Sequence, residues 1–220
     1  MAEAEPILDQ IAGEPTVSGF VHRAAKGNEN GIVLTHSAGS NCNSPLLTTL
    51  AESLSAAGVT VLRCDLPFRQ DRPHGPPLGS AERDQAGLLR AVQVLRKSVS
   101  GEIFLGGHSY GGRMATMLAA QQPSVADGLL LLSYPLHPPR KPQQLRTAHF
   151  PKLRIPSLFV HGTRDPFGSV EEMQSALYLI PTKVKLMTIE GAGHELITKS
   201  NRQIVLEAVM NGVERWLGRS

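Results

Sequence analysis

A serine between two glycines is the part of this sequence best suited to chemistry. The segment GHSYG, residues 107–111, follows an apolar run at 103–105 and precedes a stretch of helical character that is rich in Ala and Met. A serine hydroxyl becomes an effective nucleophile only when it lies beside a general base and near backbone donors. A sharp turn from strand to helix provides that setting, and flanking glycines let the backbone bend so tightly. We therefore predict that Ser109 is a nucleophile.

A serine nucleophile needs a histidine base, and the base needs a carboxylate that fixes its tautomer. His194 ends the flexible segment GAGH, directly after a predicted strand, and Asp165 lies in the loop after another predicted strand. Residues 134–154 contain no Asp or Glu, which removes the other downstream loop as a source of the acid. Asp65 also follows a strand, but it precedes the serine, and a structural role at the start of its loop explains it better. The sequence predicts Asp165 as the acid and keeps Asp65 as the alternative.

The negative charge that develops on an attacked carbonyl oxygen needs preformed backbone donors. The amide of Tyr110, directly after the nucleophile, is the first predicted donor. The second is predicted in the segment HSAGS, residues 36–40, which follows the first parallel strand. Ala38 is the preferred donor there, and Ser37 is the alternative.

Alternating strand-like and helix-like segments from about residue 31 favour an α/β domain with a mainly parallel central sheet and helices on both faces. A weakly alternating stretch at 16–22 predicts an antiparallel edge strand. Because ligands bind at the carboxyl ends of the strands in such sheets, the three predicted catalytic residues can converge there. Strands are predicted at 31–35, 59–64, 102–106, 128–133, 157–161 and 184–189, and helices at 45–57, after Ser80, after Ser109, at 170–179 and at 200–217.

Length and composition indicate the number of domains and whether a disulfide, a metal or a cofactor is expected. A chain of 220 residues is expected to form a single domain, 1–220, and 41% hydrophobic with 19% charged residues is ordinary for a globular protein. The only two cysteines, Cys42 and Cys64, have neither ligand spacing nor disulfide density, so we predict free thiols. No phosphate-binding loop or metal-ligand cluster is apparent, so no metal or cofactor is expected. The sequence does not indicate an oligomeric state.

The same features argue against a nucleic-acid or membrane function. A net charge of +3 without a clustered basic helix predicts no nucleic-acid partner. The longest apolar run, residues 128–132, is too short to cross a bilayer, and the first residues lack the features of a secretory signal. We therefore expect a cytoplasmic protein without membrane contact.

Two predicted loops are basic and follow strand ends. Residues 134–154 carry five basic residues and no acid, and residues 66–79 contain two arginines against one Asp. The functional interpretation is that these loops bind an anionic small-molecule ester, and the alternative is ordinary surface charge or pairing elsewhere in the fold. The predicted substrate-binding residues are Arg69, Arg72 and Arg140.

Three segments carry a resemblance to a known family: LTHSAG at 34–39, LGGHS at 105–109 and SYPLHPP at 133–139. Over about residues 16–218 the chain resembles a small α/β-hydrolase of the compact dienelactone-hydrolase-like branch. This branch includes the hydrolase-like domain of a chromatin-regulating subunit of the NSL complex and its testis-expressed relative. The resemblance implies a serine hydrolase that acts on carboxylic esters or thioesters. The order Ser109, Asp165, His194 is the one expected on this fold.

Two departures from the family pattern restrict what the resemblance implies. A dienelactone hydrolase proper carries a cysteine nucleophile where Ser109 stands, and Ser37 stands where the oxyanion loop usually has glycine. Residues 134–156 are too few for a large cap domain.

A hydrolase-like interaction module without activity remains the alternative function, because hydrolase folds also serve as binding modules. Perhydrolase or lyase chemistry on the same three residues is a smaller third possibility.

Overall fold

A computed structural model of the protein describes residues 4–25 and 29–214, whose strands form one eight-stranded sheet. The strand order is β1-β2-β4-β3-β5-β6-β7-β8. The pairs β1–β2 and β2–β4 are antiparallel, and all other neighbours from β4 to β8 are parallel. The strands are β1 (Glu5–Asp9), β2 (Val17–His22), β3 (Gly31–Thr35), β4 (Thr60–Cys64), β5 (Ile103–His108), β6 (Gly128–Leu132), β7 (Ser157–Gly162) and β8 (Val184–Ile189).

Helices cover both faces of this sheet and create two separate cores. Leu88 of α3, Met114 of α4 and Met173 of α5 belong to the core on one face. Leu50 of α1 and Val205 of α6 belong to the core on the other. The helices are α1 (Pro45–Ala56), α2 (Pro67–Asp71), α3 (Ala81–Arg96), α4 (Tyr110–Gln121), α5 (Val170–Leu177) and α6 (Arg202–Gly212).

The central strands are buried on both sides, which explains their continuous apolar sequences. Every residue of β3 and of β6 is buried. A parallel strand covered by helices on both faces has no solvent-facing side, so its residues need not alternate between apolar and polar types. This packing fixes the carboxyl ends of β5, β7 and β8 along one edge of the sheet.

The structure confirms the predicted fold class, and the predicted parallel strands lie within two residues of the observed ones. The stretch 16–22 is antiparallel as predicted, but it is not an edge strand, because β1 pairs outside it. The predicted loop 66–79 begins with helix α2, which has a proline in its first turn. The predicted last helix is observed as α6, which ends at Gly212 and is followed by a π-helical turn at 213–214. Its predicted residues 215–217 lie outside the described part of the chain.

Candidate active site

Ser109 lies in a strained turn between β5 and α4. Its φ of 52° and ψ of −111° are unusual for a residue with a side chain, and its amide donates to the carbonyl of Leu132 at 2.8 Å. Gly107 makes this turn possible, since a Cβ there would lie 2.7 Å from the backbone carbon of Gly111. The glycines around Ser109 therefore let α4 start directly against the sheet.

The three predicted catalytic side chains form one hydrogen-bonded chain. His194 Nε2 lies 2.7 Å from Ser109 Oγ, and His194 Nδ1 lies 2.9 Å from Asp165 Oδ2. The side chain of Asp165 is fully buried, whereas that of His194 keeps 15% exposure. A buried carboxylate on Nδ1 keeps the proton on that nitrogen, which leaves Nε2 free to accept the serine proton.

The loops after β7 and β8 pack tightly, and this contact sets the position of His194. A Cβ on Gly162 would lie 2.3 Å from the carbonyl oxygen of Ala192. The amide of Phe167 donates to Asp165 Oδ1 at 2.8 Å, and the Phe167 ring stacks on the His194 imidazole with centroids 4.0 Å apart. The carboxylate and the imidazole are therefore each held by a second contact from the same loop.

Two buried histidines support the backbone of the site. His108 Nε2 donates to the carbonyl of His194 at 2.8 Å, and burial lowers the pKa of His108. His36 Nε2 accepts from the amide of Leu66, and its Nδ1 donates to the carbonyl of Ser37. Burial also lowers the pKa of His36, so both rings are neutral near pH 7 and act as fixed hydrogen-bonding groups.

Asp65, the alternative acid, is used elsewhere. Its Oδ1 accepts from the amide of Cys42 at 2.7 Å and lies 3.5 Å from His36 Nε2. Asp65 therefore holds the segment just after the predicted oxyanion loop, residues 36–40, and Asp165 is the carboxylate that contacts His194.

A cleft of about 660 Å³ opens over Ser109. Ala38, Ser37 and Tyr110, the predicted oxyanion donors, all line it together with His194. Tyr110 is the first residue of α4, so its amide lies among the helix N–H groups that have no intrahelical acceptor. Both predicted donor segments thus border the space above the serine.

The side chain of Tyr110 anchors this end of α4. Its hydroxyl donates to Asp84 Oδ2 at 2.7 Å, and the amide of Phe68 donates to the other oxygen of Asp84. Burial raises the pKa of the Tyr110 phenol, and the hydrogen bond to Asp84 raises it further, so the phenol stays protonated as a donor. One carboxylate therefore links α2, α3 and α4 beneath the cleft.

The guanidinium of Arg69, a predicted substrate-binding residue, is turned inward and away from the cleft lining. It donates to the carbonyls of Ala38 at 2.6 Å, Ser40 at 2.8 Å, Arg72 at 3.1 Å and Gly75 at 3.1 Å. The residue is only 4% exposed. Four of its five N–H donors are thus used by loop carbonyls, two of them in the oxyanion loop.

The other two predicted substrate-binding arginines are also displaced from the cleft. Arg72 and Arg140 are exposed, and neither is among the described residues that line the cleft. Arg113 and Arg146 occupy its wall instead. Arg113 could have been found from its spacing, because it lies four residues after Ser109 and hence on the same face of α4.

Among the described residues, no group of three or more His, Cys, Asp or Glu side chains is arranged to hold a metal ion. Cys42 and Cys64 are free and buried, and burial raises the pKa of both thiols. Within residues 4–25 and 29–214, no helix has the length and apolar character needed to span a membrane.

Comparison with known proteins places the chain in a family. A dienelactone hydrolase from Anabaena variabilis is similar in fold, with 20% sequence identity, a TM-score of 0.79, and an alignment that covers 97% of this chain and 98% of that one. An α/β serine hydrolase homologue from Coxiella burnetii has 19% identity and a TM-score of 0.74, with 94% of this chain and 97% of that one covered. A lidless α/β serine hydrolase from Xanthomonas campestris has 17% identity and a TM-score of 0.74, with 100% of this chain and 98% of that one covered. A family model described as an alpha/beta hydrolase domain matches residues 28–217. The chain therefore belongs to the α/β-hydrolase domain family.

Proposed function

We propose that this protein is a serine hydrolase that cleaves carboxylic esters or thioesters through an acyl-enzyme. The observation that carries the proposal is the chain of short contacts from Asp165 to His194 to Ser109, with 2.9 Å and 2.7 Å between the bonded atoms. This order of acid, base and nucleophile is the arrangement that activates a serine. The similarity in fold to serine hydrolases agrees with the proposal.

In the proposed mechanism each residue has one role in acylation. Ser109 Oγ attacks the acyl carbon while its proton moves to His194 Nε2. Asp165 holds the Nδ1 proton and stabilises the imidazolium that forms. The amides of Tyr110 and Ala38, with Ser37 as the alternative to Ala38, stabilise the oxyanion, and His194 then returns the proton to the departing alcohol or thiol.

Deacylation repeats the same steps with water. His194 takes a proton from the attacking water, the tetrahedral intermediate forms in the same oxyanion site, and Ser109 leaves with the proton that His194 returns. None of these steps requires a metal or an organic cofactor. The proposal includes a small-molecule ester as the substrate and the cytoplasm as the location.

The proposal is tested by measuring hydrolysis of p-nitrophenyl acetate and of an acetyl thioester by wild type and Ser109→Ala. We expect turnover by wild type and a loss of several orders of magnitude in Ser109→Ala, since the three residues act as a unit. Ser133→Ala is the matched control, because Ser133 is a buried serine just after the neighbouring strand β6 and makes no hydrogen bond through Oγ to described residues.

The interaction-module function, suggested by the resemblance to a chromatin-complex subunit, predicts a different result. A folded wild-type protein that hydrolyses none of these substrates faster than Ser109→Ala would favour it. Turnover that disappears only in Ser109→Ala would favour the enzyme.

A further inference from the structure

Two arginines stand in the wall of the cleft without an acidic partner. None of the ion pairs found among the described residues involves Arg113 or Arg146. Arg113 Nε is buried and has no hydrogen-bond acceptor in the described part of the chain. A buried donor without a protein acceptor is rare in folded proteins, and a bound group at the cleft can supply the acceptor.

Arg113 and Arg146 line the same cleft as the nucleophile. The amide of Arg113 donates to the carbonyl of Ser109 at 3.0 Å, so Arg113 lies one helical turn beyond the serine. The pKa of Arg146 is lowered by burial and, secondly, by the positive charge of Arg113. Two like charges held together in a half-buried wall favour binding of an anion between them.

The position of Arg146 is fixed before any ligand binds. Its amide donates to the carbonyl of Leu136 at 2.8 Å, and its carbonyl accepts from the hydroxyl of Tyr134 at 2.6 Å. Its Nη1 makes one long bond, 3.3 Å, to the carbonyl of Pro135. Most of the five guanidinium donors therefore remain available.

Arg113 and Arg146 also separate the cleft from a neighbouring groove of about 630 Å³, because both residues line both spaces. Lys152 adds a further positive charge to the groove. Glu195, an exposed neighbour of His194, is the acidic residue among those that line the cleft. The boundary between the two spaces is therefore positively charged, and it borders the cleft that contains Ser109.

We propose that Arg113 and Arg146 bind a carboxylate carried by the substrate, so that the enzyme prefers anionic esters to neutral ones. This inference rests on the proposed serine-hydrolase function and names its substrate class. A planar guanidinium matches a carboxylate through two parallel hydrogen bonds, and the unpartnered Arg113 Nε supplies one donor for such a pair. The carboxylate sets which esters are held over Ser109 and takes no part in proton transfer.

The test compares two matched substrate pairs, which also distinguish a carboxylate on the acyl side from one on the alcohol side. The acyl pair is mono-p-nitrophenyl glutarate and its methyl ester. The alcohol pair is p-acetoxybenzoate and its methyl ester. In one of the pairs we expect wild type to have a kcat/KM about tenfold or more higher for the anionic member, mainly through KM, as is typical of a charge-assisted hydrogen bond.

Variants assign the preference to the two residues. Arg113→Gln and Arg146→Gln should each lower kcat/KM for the anionic ester about tenfold more than kcat/KM for the neutral ester. Arg146→Lys keeps the charge and should keep part of the preference. Arg140→Gln is the control, because Arg140 is an exposed arginine of the same loop outside the cleft. Added salt should weaken the preference.

The outcomes separate this inference from the function on which it rests. Equal rates for both members of both pairs, or equal losses on anionic and neutral esters in the variants, would overturn the anion site while leaving the hydrolase intact. If no ester is hydrolysed, calorimetric titration with glutarate still decides the question. Binding by wild type that is lost in Arg146→Gln supports the site, and equal or absent binding refutes it.

Discussion

Replacing Arg69 with methionine removes the guanidinium that holds the oxyanion loop. The side chain donates to four carbonyls, of which those of Ala38 and Ser40 belong to this loop. The other two, on Arg72 and Gly75, belong to the segment after α2. Methionine fills a similar volume without any donor, so all four carbonyls lose this partner.

The contacts allow the effect to be estimated. A hydrogen bond to a charged group contributes roughly 1.5–3 kcal/mol to stability. If each of the four carbonyls loses half of the lower figure, the free energy of unfolding falls by about 3 kcal/mol. Release of the Ala38 segment should also displace one oxyanion donor, which costs about 10²-fold to 10³-fold in kcat. KM should change little, because the donor acts mainly in the transition state.

Guanidinium chloride titration and steady-state kinetics on p-nitrophenyl acetate measure the two effects separately. Arg72→Met is the matched control, since this arginine lies in the same segment but is exposed. Arg69→Lys should recover part of the stability, because a lysine reaches fewer carbonyls at once. A folded Arg69→Met with normal kcat would refute the reasoning, whatever its stability.

Three further predictions concern the site and its support. Asp165→Asn should keep the fold and lower kcat about 10⁴-fold through loss of the oriented tautomer, and a near-normal rate would return attention to Asp65. Gly107→Ala should destabilise the fold by about 1–3 kcal/mol because its Cβ would press on the backbone of α4, whereas Gly39→Ala, with open space around it, should not. Burial lowers the pKa of His149 to about 4, so the unfolded chain binds more protons than the folded chain between about pH 4 and 6.5, and stability must rise with pH across that window. In chemical denaturation, His149→Gln should reduce this slope by up to about 1.4 kcal/mol per pH unit, and an unchanged slope would contradict the assigned burial.

The sequence predicted the meeting of Ser109, Asp165 and His194 because each residue lies within about five residues after the end of a strand that the sequence predicts. In a parallel sheet, strand ends lie along one edge, so position along the chain gives approximate position in space. Strand β1 was not predicted, since three of its five residues are exposed and the stretch carries little pattern. Its pairing with β2 decides its structure.

The arginines could not be placed by the same reasoning. Charge counts located basic loops, but the direction of a long side chain depends on which carbonyls or charges the folded loop presents. Arg69 turned inward because α2 brings it against the oxyanion loop, and α2 was predicted as part of a loop. Arg113 lies on the helix after the nucleophile and not in a basic loop, so loop charge does not indicate it, although its spacing from Ser109 does.

Covalent labelling by a fluorophosphonate tests the central claim most directly, because the reagent reacts with an activated serine and not with an ordinary one. The account predicts one adduct per chain by intact-protein mass, mapped by peptide sequencing to Ser109, slowed strongly in His194→Ala and absent in Ser109→Ala. Ser133→Ala should label at the wild-type rate. A folded wild-type protein that forms no adduct, or forms one at another residue, would contradict the assignment of Ser109 as the nucleophile.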